Sequence, residues 1–120
     1  MNALFHIVDR SEWRSAVADY RAASLESEGF IHCSFADQVE GVANNLYRAR
    51  DGLCVVELDP AAIPAGIVVE DSYGTGTAFP HVYGAIPTAA TVAVHELTRA
   101  ANGDHRFTVG GAGAAASSDR

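Results

Sequence analysis

The sequence contains no lysine, and its eight basic residues are all arginines, against 15 aspartates and glutamates. The absence of lysine excludes Schiff-base chemistry and the lysine of a phosphate-binding P-loop. The formal net charge of −7 and the scattered arginines argue against a nucleic-acid surface, which needs clustered positive charge. We therefore expect no nucleic-acid partner.

Cysteine and long apolar runs are also scarce. Cys33 and Cys54 are the only cysteines, which is too few for a disulfide framework, and they form no Cys-x-x-Cys pair. No apolar run approaches the roughly 20 residues of a membrane span, and the N-terminus lacks the basic and apolar regions of a secretion signal. These absences predict a cytoplasmic protein with no membrane partner.

The length and apolar content indicate one domain with a real core. The chain has 120 residues, of which 48% are hydrophobic, and this is too short for two such domains. Residues 110–120 consist mainly of glycine, alanine and serine, which bury little apolar area. The sequence therefore predicts a single α+β domain over residues 1–109 and a disordered C-terminal tail over residues 110–120.

Short extended segments outnumber helical patterns along the chain. Asp9 and Glu12 have capping-box spacing and predict a helix to about Asp19, followed by a loop or a single turn up to Glu28. A second helix is predicted from Ser34, as its cap, to about Arg50. Strands are predicted at residues 4–8, 30–34, 53–58, 67–70, 79–84 and 91–97, with an edge strand at 105–109. This irregular grouping favours an α+β fold with residues 53–58 as a central strand.

The segment from Gly29 to Ser34 combines strand, histidine and helix-start signals. In an extended segment, Phe30, His32 and Ser34 share one face, while the intervening residues point the other way. A strand that passes into a helix is a common place for a ligand-binding histidine. The alternative is that His32 is structural and hydrogen-bonded within the core.

Polar side chains at or near strand ends are the candidate functional residues: His6, His32, Glu70, Asp71, His81, Tyr83 and Glu96. A zinc site built from three of these histidines and Cys33 lacks the usual short ligand spacing, and Cys33 lacks a nucleophile motif. The Gly74-Thr75-Gly76 sequence lacks both the lysine and the strand-to-helix context of a P-loop. We therefore expect no metal, and a flexible loop at residues 71–77.

Four segments carry a resemblance to a known family: Phe5-His6-Ile7, residues 28–34 (EGFIHCS), Glu70-Asp71, and residues 79–87 (FPHVYGAIP). Over residues 4–97 the chain resembles the Domain of Unknown Function 952 family of small bacterial proteins. That family is similar in fold to the ADP-ribosyltransferases and RNA 2′-phosphotransferases, which bind NAD between two small curved sheets. The resemblance implies an ADP-ribosyltransferase-like fold with antiparallel or mixed sheets, a central cleft and two short flanking helices.

The same resemblance implies that the cleft binds NAD or a related nucleotide. His6 would hold ribose hydroxyls, and His32 and Tyr83 would contact the nicotinamide or phosphate side. Ser34 and His81 complete the expected cofactor-binding set. If these histidines share a binding site, His6, His32 and His81 should line one cleft.

The implied reaction is ADP-ribosyl transfer, with His32, Glu70 and Glu96 as the expected catalytic residues. Glu70 or Glu96 would stabilise positive charge that develops on the ribose. The chain has no late Glu-x-Glu pair, which many of these transferases need, so the reaction is less strongly implied than the pocket. The alternative is a non-catalytic module that binds a small anionic or nucleotide-like metabolite.

Overall fold

The computed structural model describes residues 1–109, which form ten short strands and three short α-helices. The strands are β1 (Leu4–Asp9), β2 (Asp19–Tyr20), β3 (Ile31–His32), β4 (Leu53–Leu58), β5 (Ile67–Glu70), β6 (Phe79–Val82), β7 (Ile86–Pro87), β8 (Thr91–Glu96), β9 (Thr98–Arg99) and β10 (His105–Arg106). The helices are α1 (Arg10–Ser15), α2 (Ala23–Ser27) and α3 (Val39–Leu46). The predicted tail, residues 110–120, lies outside the described residues.

Two three-stranded antiparallel sheets form the framework. The first sheet has the order β1-β4-β8, and the second sheet has the order β3-β6-β5. Two further antiparallel pairs, β2 with β7 and β9 with β10, complete the described structure. The predicted α+β class is confirmed, and β4 is the central strand of the first sheet.

Both faces of the first sheet are covered. On one face, Leu4, Val56 and Leu58 pack with Ile31 and Val82 of the second sheet. On the other face, a separate cluster is formed by Phe5, Ile7, Val39, Ala43, Leu53 and Val55. The nearly continuous apolar run of β4 follows from this burial on both sides.

The first helix begins as predicted and ends early. The Asp9 carboxylate accepts hydrogen bonds from the N–H groups of Ser11 and Glu12, so Asp9 caps α1. The chain leaves the helix at Ala16, and Tyr20 then pairs with Ile86 of β7. The prediction of a helix to about Asp19 was therefore wrong. The predicted loop that followed contains β2 and α2.

The second helix also differs from its prediction. Ser34 does not cap it, because its backbone bonds to Phe5; the helical segment starts with a 3-10 turn whose cap is Phe35. The side chain of Gln38 accepts from the N–H of Phe35 at 2.9 Å. The α-helix proper ends at Leu46, four residues before the predicted end. No helix among residues 1–109 is long and apolar enough to cross a membrane.

Candidate functional site

A cavity of about 750 Å³ lies where the two sheets separate. Its walls come from β1, the C-terminal half of α3, the α2 region, β3 with the residues that follow it, and the loop between β5 and β6. The cavity-lining histidines are His6, His32 and His81. The sheets meet at one backbone bridge, between Phe5 and Ser34, and the cavity begins beside it.

The backbone of Ile7 is exposed to this cavity. Phe5 donates its N–H to the carbonyl of Ser34 and accepts from the N–H of Ser34, both at 2.8 Å. Residues two apart in a strand direct their backbone groups to the same side, so Ile7 also directs its N–H and C=O away from β4. The bond from the N–H of Arg10 to the carbonyl of Gly52 shows that even-numbered residues face β4. Among the described residues, β1 forms no bridge to the second sheet beyond Phe5, so Ile7 is not part of a ladder on the cavity side.

The facing strand, β3, shows the complementary alternation. The N–H of Cys33 donates to the carbonyl of Pro80 in β6 at 3.1 Å. The backbone groups of His32, one residue earlier, therefore point away from β6 and towards β1. The two sheets thus present strand edges to each other across the gap.

A single side chain interrupts the ladder that would join these edges. Continuing from the Phe5–Ser34 bridge, an antiparallel ladder would next pair Ile7 with His32. Instead, Nδ1 of His6 donates to the carbonyl oxygen of His32 at 2.6 Å. The imidazole thus bonds to the carbonyl that the N–H of Ile7 would use, at the point where the bridging of the two strands ends.

The other nitrogen of His6 belongs to a buried network. Nε2 of His6 lies 3.1 Å from the hydroxyl of Tyr20, which lies 2.8 Å from Oε2 of Glu12. Burial lowers the pKa of His6, which favours a neutral ring with its proton on Nδ1. Burial and the bond to Glu12 raise the pKa of Tyr20, so the hydroxyl keeps its one proton. That proton is shared between two acceptors, His6 and Glu12.

At the cavity mouth, His32 lies in a cluster with Glu28 and Tyr73. Nε2 of His32 lies 3.0 Å from Oε2 of Glu28, and the hydroxyl of Tyr73 donates to the other oxygen of Glu28. The His32 and Tyr73 rings stack with an interplanar angle of 14°. The Tyr73 hydrogen bond, then that of His32, lowers the pKa of Glu28, while Glu28 raises the pKa of Tyr73 to about 12. The loop carrying Tyr73 thus reaches across to the end of α2.

His81 is fixed by a carboxylate on one side and an aromatic ring on its face. Its side chain is 2% exposed, and Nδ1 donates to Oε2 of Glu70 at 2.8 Å. Phe30 stacks on the imidazole with 4.0 Å between ring centroids and an angle of 13°. The hydroxyl of Tyr83 donates to the same Glu70 oxygen, and this bond, followed by that of His81, lowers the pKa of Glu70. Nε2 of His81 has no hydrogen bond to any described residue, so it remains an acceptor for a ligand.

The loop between β5 and β6 is organised by Asp71. Its carboxylate accepts from the N–H groups of Thr75 and Gly76, at 3.0 and 2.8 Å. These bonds lower the pKa of Asp71. Gly74 and Gly76 have positive φ angles, which glycine adopts without steric cost. The resulting tight turn places Ser72 and Tyr73 at the cavity wall.

The structure brings some of the sequence-predicted residues together and leaves others outside. His6, His32, Ser34 and His81 line the cavity, and Asp71 lies beside them. Glu70 and Tyr83 are not cavity-lining residues, and they connect to the cavity through His81.

The structure does not bring Glu96 to the cavity. Glu96 lies on β8, and β4 separates that strand from β1. Two strand spacings amount to about 10 Å, which removes its carboxylate from the gap. Instead, Oε1 of Glu96 pairs with Arg10 at 2.6 Å on an exposed surface.

Several residues of the site were missed in the sequence: Glu12, Tyr20, Glu28, Tyr73 and Arg50. Glu12 was assigned to a helix and Tyr20 to the segment after it, and neither has a local signal for contact with His6. Glu28 does have one, because it lies four residues before His32 in a segment predicted to be important. Tyr73 has none, since its partner Glu28 is 45 residues away.

The cysteines do not supply a nucleophile. Both are free and buried. Burial raises the pKa of Cys33 to about 12, so its thiol stays protonated near neutral pH. Within residues 1–109, no group of three histidine, cysteine, aspartate or glutamate side chains is arranged to hold a metal ion.

The chain belongs to the family described as "Protein of unknown function (DUF952)", whose model matches residues 7–94. The match includes the cavity-lining residues His32, Ser34 and His81, together with Tyr73 of the loop. His6 lies one residue before it. No curated protein sequence matches the chain.

Solved structures of the protein CC0527 from Caulobacter crescentus share this fold. Its crystal structure is 24% identical, with a TM-score of 0.77, and the match covers 88% of this chain and 94% of that one. The solution NMR structure of CC0527 is 25% identical with a TM-score of 0.70, covering 87% and 91% of the two chains. These likenesses establish the arrangement of the short sheets and helices.

Proposed function

We propose that this protein binds NAD or a related nucleotide in the cavity, with the nicotinamide carboxamide in the gap between β1 and β3. The observation that carries the proposal is the end of the β1–β3 pairing before Ile7, which leaves this part of the β1 edge at the cavity wall without a bridged strand. A primary carboxamide has an acceptor oxygen and two N–H donors, so it can bond to the N–H and the C=O of Ile7 together. His6 keeps β3 away from this part of β1. The carboxamide would form the hydrogen bonds with Ile7 that the backbone of β3 would form in a continuous ladder.

The size and shape of the site support a nucleotide-like ligand. A volume of about 750 Å³ falls within the range of about 300–1,000 Å³ that is usual for small-molecule sites. The rings of Tyr73 and Phe79 lie in its wall and offer faces for stacking. Two small antiparallel sheets that separate around a cavity also support an ADP-ribosyltransferase-like arrangement.

The hydrogen-bonding state of each histidine suggests its role. Both nitrogens of His6 are already engaged by the protein, so His6 acts by holding the strands apart. His81 presents a free Nε2, and His32 is half exposed at the mouth, so these two contact the ribose hydroxyls and the nicotinamide side. Ser34 lies at the floor of the gap. Tyr83 acts through Glu70, which orients His81.

ADP-ribosyl transfer would require a carboxylate near the ribose. Breaking the bond between ribose and nicotinamide develops positive charge on the sugar, and a fixed carboxylate stabilises it. Glu12 and Glu28 both line the cavity, and Glu28 is the better placed, because Glu12 is bonded to Tyr20 in the His6 network while Glu28 lies at the mouth and its lowered pKa keeps it ionised. Glu70 contributes by orienting His81, and Glu96 takes no part because it lies on β8.

Binding without turnover is the second candidate function. It is favoured by one observation: neither glutamate expected from the family resemblance, Glu70 or Glu96, lines the cavity. In that case the histidines and the Ile7 backbone recognise a nucleotide-like metabolite without cleaving it.

Titration of ¹⁵N-labelled protein with nicotinamide and with nicotinic acid tests the binding proposal. Nicotinamide should shift the amide signals of Ile7 and His32. Nicotinic acid should bind at least about tenfold more weakly, because its carboxylate cannot donate to the Ile7 carbonyl and is repelled by it. Equal affinity for the two compounds, or shifts confined to the β9–β10 hairpin, would contradict the proposal.

Incubation with NAD then separates the two candidate functions. Release of nicotinamide that is lost in Glu28→Gln supports the transfer chemistry. Saturable NAD binding with no nicotinamide release supports the binding module. Because Glu28 is near the surface, the folded state of the variant can be checked by its unchanged NMR spectrum away from the mouth.

A further inference from the structure

We infer that the end of the cavity formed by Tyr47 and Arg50 is an anion subsite, which holds a phosphate or diphosphate group of the ligand. This inference rests on the proposed function, since it assigns the phosphates of the same nucleotide. Arg50 is the only arginine among the described residues that line the cavity. It was not a candidate in the sequence.

The guanidinium of Arg50 is held in place and is open to a ligand. It lies over the ring of Tyr47, 5.7 Å from the ring centroid, and Nη2 is 3.5 Å from Oδ2 of Asp9. Its side chain makes no hydrogen bond to any residue of the described chain. Its backbone is fixed, because its N–H donates to Tyr47 and its carbonyl accepts from Arg99 at 2.8 Å.

Three other arginines provide the contrast, because each forms an ion pair with a carboxylate at a distance of 2.9 Å or less. Arg10 lies 2.6 Å from Glu96, Arg48 lies 2.5 Å from Asp104, and Arg99 lies 2.9 Å from Asp51. Their donors are occupied at the surface. The Arg50 guanidinium keeps its planar set of N–H donors, which matches the oxygens of a phosphate.

The neighbouring carboxylate positions Arg50. Oδ1 of Asp9 is occupied as the cap of α1 by the N–H and hydroxyl of Ser11, and Oδ2 faces Arg50. The distance of 3.5 Å leaves donors of the guanidinium available on its other edge. Asn45 lines the same end and adds an amide donor.

The distance between the two parts of the site fits one ligand. Asp9 follows Ile7 by two residues on the same strand, which places their Cα atoms about 6.7 Å apart. Because the Arg50 guanidinium lies beside the Asp9 carboxylate, a ring held at Ile7 and a phosphate held at Arg50 can belong to one ligand that is joined by a ribose. The ligand class is therefore a nicotinamide nucleotide that carries phosphate on the ribose.

Calorimetric titration of the wild type, Arg50→Gln and the matched control Arg48→Gln tests the inference. The ligands are nicotinamide, nicotinamide riboside, nicotinamide mononucleotide, NAD and inorganic pyrophosphate. In Arg50→Gln, affinity for the two phosphorylated nucleotides should fall about ten- to hundredfold, while nicotinamide and the riboside bind as before. Arg48→Gln removes the same charge two residues away, outside the cavity, and should bind all ligands like the wild type.

The outcomes separate this inference from the proposed function. If the wild type binds NAD and Arg50→Gln binds it equally well, the anion subsite is overturned and the proposed function stands. If no nicotinamide compound binds but pyrophosphate binds in an Arg50-dependent manner, the subsite stands and the proposed function falls. If Arg48→Gln loses as much affinity as Arg50→Gln, the loss comes from the change in the net charge of the protein, and the subsite is overturned. Absence of binding by every ligand overturns both.

Discussion

His6 shows how one side chain can decide whether two strands pair. Its Nδ1 proton occupies the carbonyl of His32, and its Nε2 shares the Tyr20 hydroxyl proton with Glu12. A neutral imidazole satisfies both contacts, since it has one donor and one acceptor. A charged imidazole would gain from Glu12 but would lose hydration in this buried position, and burial is the larger effect on its pKa.

The lowered pKa of His6 predicts a pH dependence of stability. Unfolding restores the ordinary pKa of 6.5, so below that pH the unfolded chain binds a proton that the folded chain does not. The free energy of unfolding should therefore decrease as the pH falls below 6.5. Urea unfolding, followed by the fluorescence of Trp13, measures this between pH 6.5 and the carboxylate range near 4.5.

Two variants test whether His6 causes this decrease in the free energy of unfolding at lower pH. His6→Gln should be less stable than the wild type at pH 7. Above the pH range in which carboxylates titrate, its free energy of unfolding should depend on pH much less than that of the wild type. His95→Gln replaces an imidazole that pairs with Glu57 away from the cavity, and it should retain the slope caused by His6. A wild-type slope in His6→Gln would show that another group is responsible.

The sequence allowed the three cavity histidines to be identified, but it did not predict their partners. His6, His32 and His81 all lie in short apolar segments, and strand alternation was enough to indicate a shared cleft. The bond from His6 to the His32 carbonyl could not be predicted, because it depends on where the ladder stops. The contact between Glu28 and Tyr73 depends on the path of an irregular loop, for which periodicity gives no information.

At the level of elements, β1 is a strand with one paired edge and one edge that is only partly paired. Its even-numbered residues bond to β4, Phe5 bonds to Ser34, and Ile7 forms no bridge on the cavity side. An unpaired strand edge is a template for any group with alternating donors and acceptors. Here the cavity walls restrict access to a small molecule.

Amide hydrogen exchange should reveal this pattern directly. The N–H groups of Phe5, His6 and Val8 should exchange at least about tenfold more slowly than that of Ile7, because the Ile7 N–H points to the cavity side, where β1 forms no bridge beyond Phe5. Residue-resolved exchange measured by NMR gives the comparison. Equal protection of Ile7 and its neighbours would show that the gap between β1 and β3 is closed in solution.

Removing the histidine side chain should close the gap. In His6→Ala the His32 carbonyl is released, so the Ile7 N–H can take it and extend the ladder by one pair. Slower exchange of the Ile7 amide and loss of nicotinamide binding are the expected results. Tyr20→Phe is the matched control, since it leaves the Nδ1 bond intact and should keep Ile7 unprotected.

The lengths of the elements were less predictable than their types. Periodicity identified the central strand β4 and the helix that contains Val39 and Ala43. Leu46 shares the helical spacing of these two residues, at three residues from Ala43, yet it is 69% exposed and lines the cavity. An apolar side chain at helical spacing fits a core and a binding cavity equally well, so the pattern could not separate them.

At the scale of the whole molecule, the second cluster of the core depends on residues near the end of the described chain. The ring of Phe107 lies 5.7 Å from the ring centroids of both Phe5 and His95. The N–H of Phe107 donates to Glu40 at 3.0 Å, and buried His105 bonds through Nε2 to the carbonyl of Tyr47. The chain up to Phe107 is therefore part of the domain.

Two truncations test the predicted domain boundary. Ending the chain after Val109 removes only the segment of small and polar residues, whose ordering would cost more conformational entropy than its contacts return, so the melting temperature should stay within about 1 °C. Ending it after Asp104 removes Phe107 and His105, exposes the face of Phe5 and takes one of its two donors from the Tyr47 carbonyl, which keeps the N–H of Arg50. The combined loss of about 3 kcal/mol or more should lower the melting temperature by more than about 10 °C. A fall of several degrees in the melting temperature of the chain that ends at Val109 would place the boundary beyond Val109. An unchanged melting temperature in the chain that ends at Asp104 would show that β10 and Phe107 contribute nothing to the core that supports β1.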